Sequence, residues 1–378
     1  MKRLTALMLA LLLLLCLTGC GTPQTQYDPE TISWDQILAD ARGTTVTFYS
    51  RSGDDSRTAW LNTTVADYVM EQYGITLKVM EPENDAQALL SDRKAGADVV
   101  CISGADLTAA GEEGLLYGPF TDKLPSLAQE EAACQAPYAK NQLVMYADTA
   151  VVQTLPSSWQ TFEAMCQQAP GMFTYPDMAD AVGSAFVCSM IYEVCGWKQF
   201  QTMEADDDIV RAAVEPAMAY LRSLNPYLWK GGEMFPDAGT IEAMYEKGEL
   251  ALGMSCSPFA AADLDSETTD SFVFAKGTIA STDYMVIPEG SSNKAGAMAV
   301  INAILSVELQ LSCCAELREL PALDTTRLSA EERAAFDAVE LGEGVLSRNE
   351  LTAHSLPDMP ADLIPVIEAI WRSEVVGK

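Results

Sequence analysis

Two short stretches concentrate small polar and charged residues: Ser50-Arg51-Ser52-Gly53-Asp54-Asp55 and Ser103-Gly104-Ala105-Asp106. Serine and glycine there let a solute reach backbone N–H groups, and Arg51, Asp54 and Asp106 can pair with charges of opposite sign. Three tyrosines, Tyr49, Tyr146 and Tyr175, offer flat faces for a ring or a cation. Ser184 sits where a helix is expected to open, and Ser255 and Ser257 lie just past an expected strand. Hydroxyls and free helix N–H groups suit any anionic portion of a ligand. Plain turn formation and packing between lobes account for the same residue types. This is the chemistry of noncovalent capture. Residues for turnover are sparse: the only histidine is His354, in a Pro-rich C-terminal stretch, and there is no H-E-x-x-H, G-x-S-x-G or P-loop lysine motif. Two carboxylates suffice for a glycosidase, but among 54 acidic residues no pair stands out. With no C-x-x-C pair and no Cys/His cluster, neither a metal nor another cofactor is expected.

Lys2 and Arg3 precede an apolar run from Ala6 to Leu17 that ends in Leu17-Thr18-Gly19-Cys20. The run is shorter than the about 20 residues a membrane span needs, and its layout fits an export signal over residues 1–19. The Leu-x-Gly-Cys ending resembles a bacterial lipobox. That resemblance implies cleavage before Cys20, diacylglycerol on its sulfur and a palmitate-type chain on the new amine. Two or three acyl chains suffice for stable anchoring to the outer face of a membrane. Residues 20–32 lack apolar periodicity and read as a flexible tether.

The roughly 360 residues that remain are too many for one small core and suit two lobes. Apolar residues make up 49% of the chain, which indicates a globular protein. The net charge of −31 repels phosphate backbones and argues against nucleic acid as a partner. It is compatible with a cationic ligand, although a solvated acidic surface explains it as well. Eight cysteines follow Cys20, and their spacing dictates no disulfide pairing.

Strands are expected at Thr45–Tyr49, Ile75–Val79 and Asp98–Ile102, with helices between them, the first closed by Gly74. A β-α-β-α-β order implies a parallel sheet, with ligands bound beyond the carboxyl ends of its strands. That rule singles out the two polar loops. Further strands are expected at 143–146, 172–175, 249–254, 272–275 and 284–287. Helices are expected at 183–195, 207–224 and 240–247, and a long one over 293–311. Ser157 to Gln160 fits a capping box opening another.

Several segments together resemble extracellular solute-binding proteins of the type II periplasmic-binding fold, in particular the YnjB-like lipoproteins of ABC importers. They are Leu115 to Pro119, Ser157 to Trp159, Pro170 to Pro176, Gly183 to Val187, Tyr284 to Pro288, Asn293 to Ala297 and Leu305 to Gln310. The resemblance implies an α/β fold of two lobes, each a mixed, mostly parallel sheet flanked by helices. Lobe one would comprise residues 33–147 and 281–378, and lobe two residues 148–280. The ligand would lie between them, against Tyr49, Ser50, Arg51, Ser52, Asp54, Ser103, Gly104, Asp106, Tyr146, Tyr175, Ser184, Ser255 and Ser257. The implied partners are a small molecule, an ABC permease and the membrane, and the implied state is a monomer without catalysis. The loops after the first and third strands depart from the group's usual Gly-rich aromatic and Asn-Gly-Glu-Asn-like patterns, so ligand identity does not follow. A sensor that docks on a membrane signalling protein shares all these features.

Overall fold

β-branched and aromatic runs set the strands of the first lobe, and their alternation sets which face is buried. The computed structural model describes residues 31–51, 54–82, 85–127, 131–264 and 266–378. The export signal, Cys20 and Ser52 therefore lie outside the described residues. The strands, in chain order, are β1 (Thr45–Tyr49), β2 (Thr76–Met80), β3 (Val99–Ile102), β4 (Gln135–Gln142), β5 (Val144–Asp148), β6 (Leu252–Ser255), β7 (Thr269–Phe272), β8 (Thr278–Val286) and β9 (Ser355–Leu356).

In β1, Val46 and Phe48 are fully buried while their neighbours are not, as a two-residue period requires. The chain leaves β1 into a helix, Asp55–Trp60, that continues through a π-turn to Ala66–Tyr73. Gly74 ends it at φ 68°, where a side chain would be strained. β2 and β3 then flank β1 in parallel, as the sequence predicts. The full order is β2-β1-β3-β8-β4, with β8 antiparallel to both neighbours and β9 paired to it. Helices from both halves of the chain, Lys294–Ile304 among them, cover one face of this sheet around Val46, Phe48 and Met285. A smaller cluster around Val100, Ile102 and Val286 fills the other face.

β4 and β8 are the bridge to the second lobe. They pair from Gln135–Val286 down to Gln142–Ala280. Beyond that, the Leu143 amide donates to the Ile279 carbonyl, and the chain passes directly into β5. β4 went unrecognised in the sequence because Pro137, Lys140 and Asn141 interrupt its apolar pattern. β5 is the centre of the second sheet, order β6-β5-β7, and every pair is antiparallel. The expectation of a mostly parallel sheet in both lobes therefore fails here. β5 carries the chain into the lobe, whereas β7 leads straight back into β8 and must run the other way. The lobe's core centres on the helices Ala181–Cys195 and Asp207–Leu224.

Three further expectations change. Residues 293–311 form two helices, Lys294–Ile304 and Val307–Glu316, bent by 61° where the Ser306 side chain caps the second. Residues 172–175 join no ladder; Met172 and Phe173 accept single backbone bonds from Ala251 and Trp229. Most consequential, the C-terminal segment expected in the first lobe packs on the second. Ile367, Ile370 and Trp371 form the buried stripe of the helix Ile364–Glu374 and join the second-lobe core with Tyr175 and Phe186. Arg372 clamps this helix to Asp177 with two bonds of 3.0 and 2.7 Å. Among the described residues no single helix is long and apolar enough to cross a membrane.

Candidate ligand-binding site

The carboxyl end of β1 meets the bridging strands at a polar seam. Arg51 follows β1 and reaches the carboxylate of Asp283, which is buried in β8. Asn141 of β4 donates to the same oxygen at 3.4 Å. Asp283 is the one charged residue of β8, and a buried acid of this kind is stable only when paired. A register shift between Pro137 and Ala139 bulges β4 at Tyr138. The Tyr138 ring lies 4.4 Å from the guanidinium carbon of Arg57. Asp54 caps the helix after β1 by accepting from the Arg57 amide at 2.9 Å, and its other oxygen lies 3.5 Å from Arg57 Nε. Glu319 completes the pairing of Arg57. Together Arg51, Asp54, Arg57, Tyr138, Ala139, Asn141, Asp283 and Glu319 line a cavity of about 300 Å³.

The second lobe faces this seam with carboxylates. The Cys256 thiol, just past β6, is pushed up to about 12 by burial and then by the charges of Asp180 and Asp358; Arg51 pulls it down and Asp283 raises it. One thiol is therefore influenced by charges carried by both lobes. Asp358 itself is raised to about 6, first by the protein around it and second by repulsion from Asp283. Its backbone is fixed by Tyr192 and Gln201, which donate to its carbonyl at 3.1 and 3.2 Å. Arg51 and Arg57 are paired with Asp283, Asp54 and Glu319, an acidic excess in the cavity wall. Among the described residues no cluster of His, Cys, Asp and Glu is arranged to hold a metal ion.

Of the residues singled out in sequence, Arg51 and Asp54 are in the cavity wall. Ser50 is buried beside it, its hydroxyl close to that of Tyr138. Ser255 and Ser257 flank Cys256, with the Ser257 amide donating to the Ser255 hydroxyl at 3.0 Å. Gly104 lies against Thr282 and Tyr284, where an added Cβ would be in ordinary contact. The remainder do other work. Ser103 and Asp106 form a reciprocal capping box at the start of the helix Gly104–Glu112. The Tyr49 hydroxyl points to the Ala95 carbonyl, and its ring packs in the first lobe. Ser184 lies within the first turn of its helix, whose cap is Asp180, not the Gly183-Ser184 pair. Tyr146 is fully buried on the second-lobe sheet, edge-on to Tyr245 at 4.9 Å. Tyr175 is buried among Phe186, Phe235 and Trp371, and accepts a bond from the Trp371 indole at 3.2 Å. The structure therefore does not bring these two tyrosines to the seam. It brings instead Arg57, Tyr138, Asn141, Asp283 and Asp358. Asp283 lies one residue before the strand expected at 284–287, and neither it nor Asp358 stood out in the sequence.

A second cavity, about 390 Å³, is lined by Asp148, Met172, Tyr245, Glu246 and Thr268 among others. All of its lining comes from the second lobe, so closure between lobes would not alter it.

Two cores joined by paired strands, with a polar cavity on the first-lobe side of their junction, define a type II periplasmic-binding fold. The sequence profile of the bacterial extracellular solute-binding proteins matches residues 64–336, and the chain belongs to that family. It is similar to Protein YnjB of Escherichia coli strain K12, 27% identical over 308 residues that cover 74% of this chain and 79% of that one. In fold it resembles UgpB from Mycobacterium tuberculosis in complex with glycerophosphocholine (TM-score 0.66, 14% identity, 88% of this chain and 94% of that one). It likewise resembles the spermidine/putrescine ABC transporter substrate-binding protein PotD from Streptococcus pneumoniae (TM-score 0.62, 16% identity, 87% and 99%). Members of this family are transport solute-binding proteins, not enzymes.

Proposed function

We propose that this protein captures a small polar solute carrying a positive charge at the Arg51–Asp283 seam and delivers it to the permease of an ABC importer. The observation that carries this reading is the buried Asp283 carboxylate in the wall of a cavity whose charged lining, Asp54, Asp283 and Glu319 against Arg51 and Arg57, is acidic in excess. A cation there replaces the pairing that the half-exposed Arg51 gives the buried Asp283 carboxylate. Solute binding draws the lobes together about β4 and β8, and the permease reads the closed form. The names of the structural relatives, one a spermidine/putrescine binder, are consistent with an amine.

The protein acts as a monomer tethered through lipid on Cys20, with residues 20–32 as the leash. Cys20→Ala is expected to move it from the membrane to the soluble fraction; membrane retention by this variant removes the anchor from the account. The capture site is tested by native mass spectrometry of the purified protein to identify the bound solute, followed by calorimetry on wild type and Asp283→Asn. The expected loss is at least tenfold in affinity, in line with removing one partner of a buried charge pair. Equal affinity of the two proteins places the solute elsewhere.

A further inference from the structure

The 300 Å³ cavity carries both signs of charge, and its two ends differ in how well they are satisfied. At one end Asp283 is a buried acceptor held by Arg51 and Asn141. At the other, Arg57 is a buried donor, 2% exposed. Its partners Asp54 and Glu319 are more open, with side chains 39% and 23% exposed, so water can compete for them. Nη1 of Arg57, the hydroxyl of Tyr138 and the hydroxyl of Ser50 are all buried, and the groups within reach of the Tyr138 hydroxyl include Ser50 and Arg57 themselves. This cluster around a fixed guanidinium holds more donors than acceptors and asks for an acceptor from outside, because a buried donor left without one costs its desolvation penalty. Arg57 can be neither deprotonated nor moved far, packed as it is on the Tyr138 ring.

We infer that the solute is amphoteric: its ammonium end lies against Asp283, and an oxyanion at its other end lies against Arg57, Tyr138 and Ser50. The inference rests on the capture site proposed above and adds an anion to its ligand. A plain amine satisfies Asp283 but leaves the Arg57 end unmet. A plain anion meets Arg57 but leaves Asp283 facing a like charge. Only a molecule with both charges answers both ends. The Tyr138 bulge and the short Ser50–Arg51 turn are the elements that build the anion end, and both arise from irregularity at the edge of regular strands.

The test is calorimetry with matched probes: γ-aminobutyrate, glycine betaine and O-phosphoethanolamine, each beside its cationic half (butylamine, choline, ethanolamine) and its anionic half (butyrate, acetate, inorganic phosphate). At least one zwitterion is expected to bind tenfold or more tighter than both of its halves. Tyr138→Phe with Ser50→Ala keeps the ring under Arg57 and is expected to bring that zwitterion back to the affinity of its cationic half. Unchanged melting of this variant by circular dichroism verifies its fold. Cations that bind as tightly as their zwitterions, with binding lost in Asp283→Asn, overturn the amphoteric ligand while leaving the capture site standing. A zwitterion advantage that survives in the Tyr138→Phe, Ser50→Ala variant also overturns it. Failure of every probe to bind overturns it and counts against the capture site too.

Discussion

The seam after β1 and the aromatic core of the second lobe are built from similar residue types, yet they are satisfied in opposite ways. In the second lobe Tyr175, Phe186, Phe235 and Trp371 pack ring against ring, and the one hydroxyl meets the one indole N–H. At the seam Tyr138 lies under a guanidinium, and its hydroxyl meets Ser50 and Arg57, both buried donors themselves. Burial alone does not tell a binding tyrosine from a structural one, since both are buried. Satisfaction of the polar atoms separates Tyr175 from Tyr138, but Tyr146, buried on the second-lobe sheet, also has a hydroxyl without a partner among the described residues. What sets Tyr138 apart is its place beside a buried guanidinium in a cavity wall.

Three substitutions or conditions sharpen that contrast, in descending size. Tyr175→Ala removes a fully buried ring and its bond to Trp371, and is expected to lower unfolding stability by about 3–5 kcal/mol. The denaturant midpoint measures this, and affinity per folded molecule is expected to stay unchanged. A variant that keeps its stability but loses its ligand would return Tyr175 to the site. Ser103→Ala removes the N-cap of the helix Gly104–Glu112 and is expected to cost about 1 kcal/mol. Binding is again unchanged, and a larger loss in affinity than in stability would mark this loop as ligand-facing.

The smallest effect is in pH. The carboxyl of Asp358, raised to about 6, loses its proton as pH rises through that value and adds a negative charge beside Asp283. Capture of a cation is therefore expected to strengthen severalfold between pH 5 and pH 7.5, by the usual linkage of charge to binding. Folding runs the other way: a raised acid favours the folded state below its unfolded pKa, and that contribution is lost as pH rises through about 6. Calorimetry across this range is the check. Asp358→Asn should flatten the binding profile, and a profile equally steep in the variant assigns the titration to another group.

Much of the first lobe was legible in the sequence because its strands alternate cleanly and its helices end on glycine; β1 falls on the residues expected. The site was legible only where it sits on those strand ends, at Ser50, Arg51 and Asp54. Tyr138 and Asn141 were missed because β4 carries a proline and a bulge, which erase the period that identifies a strand. Asp358 was missed because it reaches the seam from residues far along the chain, through a C-terminal segment that packs on the second lobe and not the first. Ser103 and Asp106 were misread because a capping box and a ligand loop use the same residues. Tyr146 and Tyr175 were misread because nothing local to a tyrosine tells whether its ring is covered.

Hydrogen exchange on the protein with and without its co-purified solute tests the central claim most directly. The account predicts slowed exchange in both lobes at once, over residues 50–57, 138–142 and 281–284 on one side and 256–258 and 357–359 on the other. Slowing confined to residues 245–251 and 266–268, around the cavity that belongs to the second lobe alone, would contradict it.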